Sequence, residues 1–367
     1  MKYYIIAGEP SGDIYGAALM QALKNIDKDA NFRFWGSGEM KSVSDTCDVS
    51  IEETSFMGLV EVLKNSGKII SLFSKAKNYI SQYQPDMLIL IDYPGFNLRM
   101  AKWAKKNKFR VAYYISPQIW AWRKYRYRAI RDYTDLFFPI LPFERKIYRE
   151  LDVRFTYCGH PLLERIPHSQ SKKEIHKIHT VGIFPGSRPQ EIRKNISVLS
   201  KFVRANPAYN FRVSVMPHIE LNEYAPLLAC PGIKQETNTA EMVKSCDLAI
   251  ACSGTLSLEL ALYNVPQIII YKTNTVSYMI ARRMVKIKYI SLVNLILGEG
   301  LVEELIQDAF NLNKLQDAFN KLSINENQKK QYTGYKEMRS ALGTSNCSQC
   351  VARHIQEYLK ERPTLDL

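Results

Sequence analysis

The chain has 367 residues, with 50 lysines and arginines against 36 aspartates and glutamates, 46% apolar residues and 11% aromatic ones. That length suits about two domains, and the composition excludes a disordered chain, a collagen-like repeat and a small disulfide scaffold. The formal net charge of +14 points to an anionic partner, with nucleic acid, anionic lipid and phosphorylated small molecules all open.

Short apolar runs of strand length alternate with helix-length amphipathic stretches, the pattern of parallel sheets with crossover helices. In the first half the predicted strands are Lys2–Ala7, Phe32–Gly36, Asp86–Ile91, Arg110–Ile115, Leu136–Leu141 and Arg154–Cys158. Between the first two lies a helical repeat, Ile14–Ile26, with Ile14, Ala17, Ala18, Leu23 and Ile26 on one face. The polar, Lys- and His-rich stretch Pro161–His179 reads as a linker. The alternation then restarts with Thr180–Phe184, Phe211–Met216, Leu248–Cys252 and Pro266–Tyr271, and from Val302 onward the chain reads as helical only. Two doubly wound α/β domains facing a cleft are expected, with ligands beyond the carboxyl ends of the strands.

The longest apolar runs, such as Met87–Ile91, are strand-sized, so no membrane-spanning helix is expected. Met1-Lys2 leads directly into Tyr3–Ala7 and then Gly8-Glu9-Pro10, without a signal-peptide pattern. Seven scattered cysteines suit a reducing compartment, hence the cytosol. The Cys-x-x-Cys pair Cys347/Cys350 has no second pair or His set beside it, so neither a zinc nor a redox role is expected of it.

Four strand ends can carry chemistry. The first runs into Gly8-Glu9-Pro10-Ser11-Gly12-Asp13, where Ser11 or Asp13 can cap a helix start. It is not the dinucleotide fingerprint, which disfavours a nicotinamide cofactor. The third ends in Ile91-Asp92-Tyr93-Pro94-Gly95-Phe96-Asn97. There Asp92, beside Tyr93 and Phe96, either abstracts a proton or caps a helix for which Asn97 is a rival cap. In the second domain Phe184-Pro185-Gly186-Ser187-Arg188 offers backbone amides and a guanidinium to a phosphate or a developing anion. Ser253-Gly254-Thr255 is a second such turn, with Glu259 one helical turn further on, where a carboxylate can hold ribose hydroxyls. Two such turns in one domain favour a nucleoside diphosphate over plain capping.

From Arg99 to Arg131 there are eleven Lys or Arg and no acidic residue, interleaved with Trp103, Trp120, Trp122, Tyr125 and Tyr127. A second acid-free stretch, Leu260–Gly298, carries Lys272, Arg282, Arg283, Lys286 and Lys288. Such runs suit an anionic bilayer surface, single-stranded nucleic acid, or a solvated face with a few core aromatics. The segment from Phe56 to Phe73, rich in apolar residues with Lys64, Lys68, Lys75 and Lys77 around it, reads either as core or as a hydrophobic mouth that meets lipid, and Leu59–Phe73 is the part that could insert. There is no His-Glu-x-x-His, P-loop, Gly-x-Ser-x-Gly elbow or His/Cys cluster, and Asp27-Lys28-Asp29 falls in a polar loop at a helix end. A transfer reaction without metal or other cofactor is favoured.

The motifs Gly8–Asp13, Phe56-Met57-Gly58, Ile91–Asn97, Ser116-Pro117-Gln118-Ile119-Trp120-Ala121-Trp122, Leu141-Pro142-Phe143-Glu144, Gly159-His160-Pro161, Pro185–Arg188 and Ser253–Thr255 occur in the order of one family. Together they resemble the lipid-A-disaccharide synthases. The match runs nearly the full chain and thins after about residue 310. The resemblance implies a GT-B fold of two Rossmann-like domains, 1–165 on the acceptor side and 166–340 on the UDP-sugar side, with 341–367 packing back toward the first. It implies an inverting transfer of 2,3-diacylglucosamine from UDP-2,3-diacylglucosamine to lipid X (2,3-diacylglucosamine 1-phosphate), giving a β-1,6 disaccharide and UDP.

Position by position, the resemblance makes Asp92 the general base, Arg188 the stabiliser of the departing diphosphate and Asn294 a third important polar residue. Substrate contacts are implied for Glu9, Ser11, Gly12, Asp13, Met57, Glu61 and Gln118, and for Gly186, Ser187, Ser253, Gly254, Thr255 and Glu259. Helix dipole and guanidinium would stand in for a metal. Three positions depart from the family: Val293 where proline is usual, Glu164 where aspartate often stands, and Gly36-Ser37-Gly38-Glu39-Met40 in place of a Gly-Gly-Pro loop. The implied placement is peripheral, on the cytoplasmic face of an anionic inner membrane, and a homodimer is allowed. The nearest alternative is another UDP-sugar GT-B enzyme, such as a UDP-N-acetylglucosamine 2-epimerase-like protein. Nucleic acid is not expected, because no RNA-recognition or helix-turn-helix signature accompanies the basic run.

Overall fold

The computed structural model describes residues 1–54, 66–119, 124–168, 177–274 and 288–361. The chain divides into two compact units, Met1–Pro161 with the chain from Gly343 onward, and Leu162–Leu342.

The first unit is built on a six-stranded parallel sheet of β1 (Lys2–Ala7), β2 (Asn31–Gly36), β3 (Cys47–Ser50), β4 (Met87–Ile91), β5 (Val111–Tyr114) and β6 (Leu136–Phe138), in the order β3-β2-β1-β4-β5-β6. The register sets Ala7 against Ile91 and Ile91 against Tyr114, so the strand ends that carry the motifs finish level. Every residue of β4 is fully buried, as a strand covered on both faces requires. The second unit repeats the topology with β7 (Thr180–Phe184), β8 (Asn210–Ser214), β9 (Ile233–Glu236), β10 (Leu248–Cys252), β11 (Gln267–Tyr271) and β12 (Glu303–Ile306), in the order β12-β11-β10-β7-β8-β9. In each sheet the strand order reverses at the first strand, between β1 and β4 and between β7 and β10. An open crevice forms at such a reversal.

Helices Pro10–Ile26, Pro94–Lys106 and Pro189–Ala205 each begin with proline at the first turn. Proline there needs no N–H partner and its fixed φ already fits a helix. Each prolyl start follows directly on a motif turn, so the chain enters the helix at a defined point.

Three expectations are corrected. Arg154–Cys158 forms no strand. Of its backbone, the Thr156 N–H donates to the Phe137 carbonyl at 2.9 Å, and no ladder follows. The region after Val302 is not helical only, because it contains β12. Strands β3 and β9 also escaped the sequence reading. All three missed strands are at sheet edges, where half-exposed side chains give no continuous apolar run. The third correction concerns cysteine: the scattered, odd-numbered set carries no framework spacing, yet Cys158 and Cys350 are disulfide-bonded.

The C-terminal helix Cys347–Glu361 lies on the first unit. Gln356 donates to the Ile26 carbonyl at 2.8 Å and Tyr358 to Asp135 at 3.0 Å. The chain re-enters this unit at Gly343, φ +95°, where an added Cβ would stand 3.4 Å from the Cα of Gly159. Exit and re-entry are therefore adjacent. Among the described residues, no helix is long and apolar enough to cross a membrane.

Candidate active site

At the reversal of the first sheet, the turn after β1 meets the turn after β4. Gly8 sits flat beneath the Tyr93 ring, and a Cβ there would lie 2.4 Å from ring atoms, so only glycine lets the two turns close. Asp92 and Tyr93 both take left-handed backbone conformations, φ +45° and +47°. Such non-glycine residues persist only where their surroundings hold them. Here the Asn97 amide nitrogen donates to the carbonyls of Asp92 at 2.9 Å and Ile91 at 3.1 Å, and the Tyr113 hydroxyl donates to the Asp92 carbonyl at 2.7 Å. The Asp92 N–H still pairs with Tyr114 of β5 at 2.9 Å.

The Asp92 carboxyl is pushed up from 3.8 to about 7, chiefly by burial and then by the negative charge of Glu9; the Tyr93 N–H and Arg126 partly oppose this. The helix starting at Pro94 has no side-chain cap. Capping by Asp92 or Asn97 therefore does not occur, and Asn97 instead secures the backbone of Asp92. Nor does Ser11 or Asp13 cap the first helix. Asp13 is buried and accepts from Ser37 N at 2.6 Å, Ser37 Oγ at 2.8 Å and Glu39 N at 3.0 Å. It thus holds the loop that departs from the family pattern. Gly12 is buried, Ser11 and Glu9 are half-buried beside it, and Gln118 is exposed after β5. Met57 and Glu61, like Trp120 and Trp122, lie outside the described residues.

The reversal of the second sheet differs in character. Gly186 has φ +139°, and a Cβ on it would come 2.6 Å from the Cβ of Glu191. Glu191, in the first turn of the following helix, accepts from the Ser187 N–H at 3.0 Å and lies 3.7 Å from the Arg188 guanidinium. Arg188 is itself 62% exposed. A carboxylate thus already occupies an anion-accepting amide beside a solvent-facing cation. Asn195, fully buried, secures the turn from below by donating to the Pro185 carbonyl at 2.8 Å. On the neighbouring turn, Gly254 and Thr255 are exposed, and Glu259 is raised by burial against the pull of Arg165. The Cys252 thiol under this turn is pushed up to about 12 by burial and is no nucleophile at neutral pH.

Asn294 is buried, and its amide is fully engaged. It donates to Val302 O at 2.9 Å and to Glu304 at 2.8 Å, and accepts from Val302 N at 2.9 Å. Glu304 also takes the N–H groups of Ile290 and Ser291, each at 2.9 Å, and the Ile290 carbonyl accepts from the Ser253 hydroxyl at 3.1 Å. Asn294 therefore reaches the Ser253 turn through a chain of hydrogen bonds. Val293 occupies the first turn of its helix, Leu292–Leu297, where proline is equally accommodated. Tyr113, Asn195, Glu191 and Glu304 were not singled out from sequence. Each acts on backbone far from it in sequence or within one helical turn, and only Glu191, four residues after Ser187, left a local signal.

The basic, aromatic run is partly self-satisfied. Lys105 pairs with Asp135, Arg131 with Asp132, and the guanidinium groups of Arg128 and Arg131 stand about 6 Å from the Tyr127 ring. Tyr125 is 64% exposed. On the helix Ser66–Tyr83, Leu72 is core while Ile70 is 67% exposed.

A family model described as lipid-A-disaccharide synthetase matches residues 3–356. The chain belongs to the lipid-A-disaccharide synthase family. The synthase of Trichlorobacter lovleyi is 36% identical over 323 residues, 84% of each chain, and that of Coxiella burnetii is 33% identical over 368 residues, 97% of this chain and 98% of the relative. Among solved structures, the Staphylococcus aureus MnaA–UDP complex aligns with a TM-score of 0.69 at 13% identity, covering 99% of this chain and 98% of that one. The Neisseria meningitidis UDP-GlcNAc 2-epimerase bound to UDP-GlcNAc aligns at 0.67 and 12% identity, covering 97% and 100%. Acinetobacter baumannii MurG aligns at 0.60 and 13% identity, covering 97% and 99%. These likenesses establish the GT-B fold. As a member of the lipid-A-disaccharide synthase family, the chain is a glycosyltransferase.

Proposed function

We propose that this lipid-A-disaccharide synthase family member transfers 2,3-diacylglucosamine from its UDP donor to lipid X, with the acceptor handled at the first sheet's reversal and the donor at the second's. The observation that carries the reading is the place of Asp92, pinned on left-handed backbone by Asn97 and Tyr113 at the strand reversal where an α/β sheet binds ligands, with burial and Glu9 pushing its carboxyl up to about 7. A base whose pKa lies near the working pH is best suited to take a hydroxyl proton.

The acceptor's 6-hydroxyl oxygen attacks the anomeric carbon of the donor from the side opposite the diphosphate. The bond between that carbon and the phosphate oxygen breaks, and its electron pair leaves with UDP. The hydroxyl proton passes to Asp92, and the configuration inverts. Arg188 and the amides at Gly186 and Ser187 receive the charge growing on the diphosphate, displacing Glu191 from the Ser187 N–H. Glu259 holds ribose hydroxyls beside Ser253, Gly254 and Thr255. Asn294 touches no substrate and acts as a positioning residue for the Ser253 turn.

Both substrates carry acyl chains, which supports placement on the cytoplasmic face of an anionic inner membrane. The charge of +14, the exposed Tyr125 and the exposed Ile70 favour such a surface. Binding to anionic vesicles that falls as salt rises is expected, because screening acts over about 8–10 Å at physiological ionic strength.

The test supplies purified protein with UDP-2,3-diacylglucosamine and lipid X, together and singly. Disaccharide 1-phosphate and an equal amount of UDP should form only with both. Consumption of UDP-N-acetylglucosamine without any lipid acceptor would instead establish an epimerase.

A further inference from the structure

The C-terminal helix Cys347–Glu361 carries a side-chain cluster for which the transfer reaction has no use. Cys350 is bonded to Cys158, 192 residues away in sequence, with Cα atoms 5.6 Å apart. Cys158 is buried in the extended segment after β6, and Cys350 is partly exposed near the start of the helix. His354, one turn further on, places Nδ1 3.8 Å from the Cys350 sulfur and 2.8 Å from the Cys350 carbonyl oxygen. Cys350 is thus the more accessible residue of the pair when it is open. Cys347 is set apart from this chemistry. It is buried, with its sulfur 3.3 Å from the Gly159 carbonyl and 3.4 Å from the Tyr114 hydroxyl.

We propose that Cys158 and Cys350 form a reversible dithiol–disulfide pair, closed by a small-molecule disulfide of the glutathione type and opened by the corresponding thiol. In closing, the Cys350 thiolate attacks one sulfur of the small disulfide and expels a thiolate. The Cys158 thiolate then attacks the Cys350 sulfur of the mixed disulfide and expels the second. Two protein thiols become one disulfide, and the two electrons and two protons end on two small thiols.

The position of the pair determines its effect. Cys158 precedes the exit at Pro161 and Cys350 follows the re-entry at Gly343, so the covalent ring encloses all of Leu162–Leu342. The helix does not need the bond in order to dock. Val351, Ala352, Ile355 and Leu359 are buried, and Gln356 and Tyr358 add hydrogen bonds to Ile26 and Asp135. Opening the pair therefore lengthens the reach of the unfolded chain far more than it alters the folded one.

To test this, the full-length protein is equilibrated in glutathione buffers from fully reducing to fully oxidising, acid-quenched, unfolded in denaturant, alkylated, weighed intact and peptide-mapped. All seven cysteines should label under reduction, and Cys158 and Cys350 together should stop labelling on oxidation and appear in one linked peptide. The oxidised form should melt about 5 °C or more above the reduced form, and that gap should vanish in both Cys158→Ser and Cys350→Ser. Complete labelling in every buffer, or protection of a different pair, overturns the proposal. The ligand atoms of Cys158, Cys350 and His354 lie within 4.8 Å of one another, so one equivalent of zinc that survives purification and blocks oxidation would overturn it too.

Discussion

The two sheet reversals share a topology and differ in chemistry. In the first unit, a carboxyl is withdrawn from water on consecutive left-handed residues, pinned by Asn97 and Tyr113, beside the second acid Glu9. In the second, a glycine turn presents amides and an exposed guanidinium, balanced by the Glu191 carboxylate. A base acting near pH 7 needs desolvation, which demands burial and a stiff backbone. An anion cradle needs accessible donors, which demands a turn open to solvent. One fold supplies both because reversal turns are long enough to vary while the strands beneath them stay buried.

The largest break in this contrast should come from Asp92→Asn. Removing the proposed base should lower kcat by about 10²–10⁴-fold with UDP affinity nearly unchanged, measured by turnover and calorimetry. The same variant should be more stable at pH 8 and no more stable at pH 4. The folded-state pKa of Asp92 is raised from 3.8 to about 7, so the native state binds the proton more tightly and stability falls as pH rises through that window. The substitution removes the opposing charge only above it. Thermal melts at the two pH values check the sign.

Arg188→Ala should cost about 10²–10³-fold in kcat/KM, the scale of losing an anion stabiliser, and should weaken UDP binding without moving the pH profile. Next in size is Gly186→Ala. At φ +139° and 2.6 Å from Glu191 Cβ, the methyl group should reduce stability by about 1–3 kcal/mol and raise the donor KM, while the Asp92 pKa stays where it is. Smallest should be Glu9→Gln. Without the neighbouring negative charge the acid limb of the rate profile should move below 7 by less than about one pH unit, and no such shift should follow Glu259→Gln.

Much of this was legible in the sequence because buried parallel strands are apolar runs that end abruptly in Gly, Pro and Asp. Lys2–Ala7, Thr180–Phe184 and Leu248–Cys252 match observed strands end to end. The edge strands β3, β9 and β12 were not legible, because a strand with one exposed side carries no distinctive composition. Asp92 and Arg188 stood out by position at strand ends. What Asp13 and Asn294 contact did not, since a buried carboxylate holding a loop and a buried amide holding a turn look in sequence like ligand-binding groups. Their partners, Ser37 to Met40 and Val302 to Glu304, are brought near by tertiary folding alone.

The adjacency of Gly343 to Gly159 makes Leu162–Leu342 an insertion whose two ends meet on one side of the host. Splicing a few flexible residues across that gap should therefore yield a free-standing amino-terminal protein with its final helix in place. The charges and the hydrogen bond that perturb Asp92 (Glu9, Arg126 and the Tyr93 N–H) travel with that fragment. Titration by nuclear magnetic resonance should then find the carboxyl still raised above 3.8 in a molecule that lacks the proposed donor site.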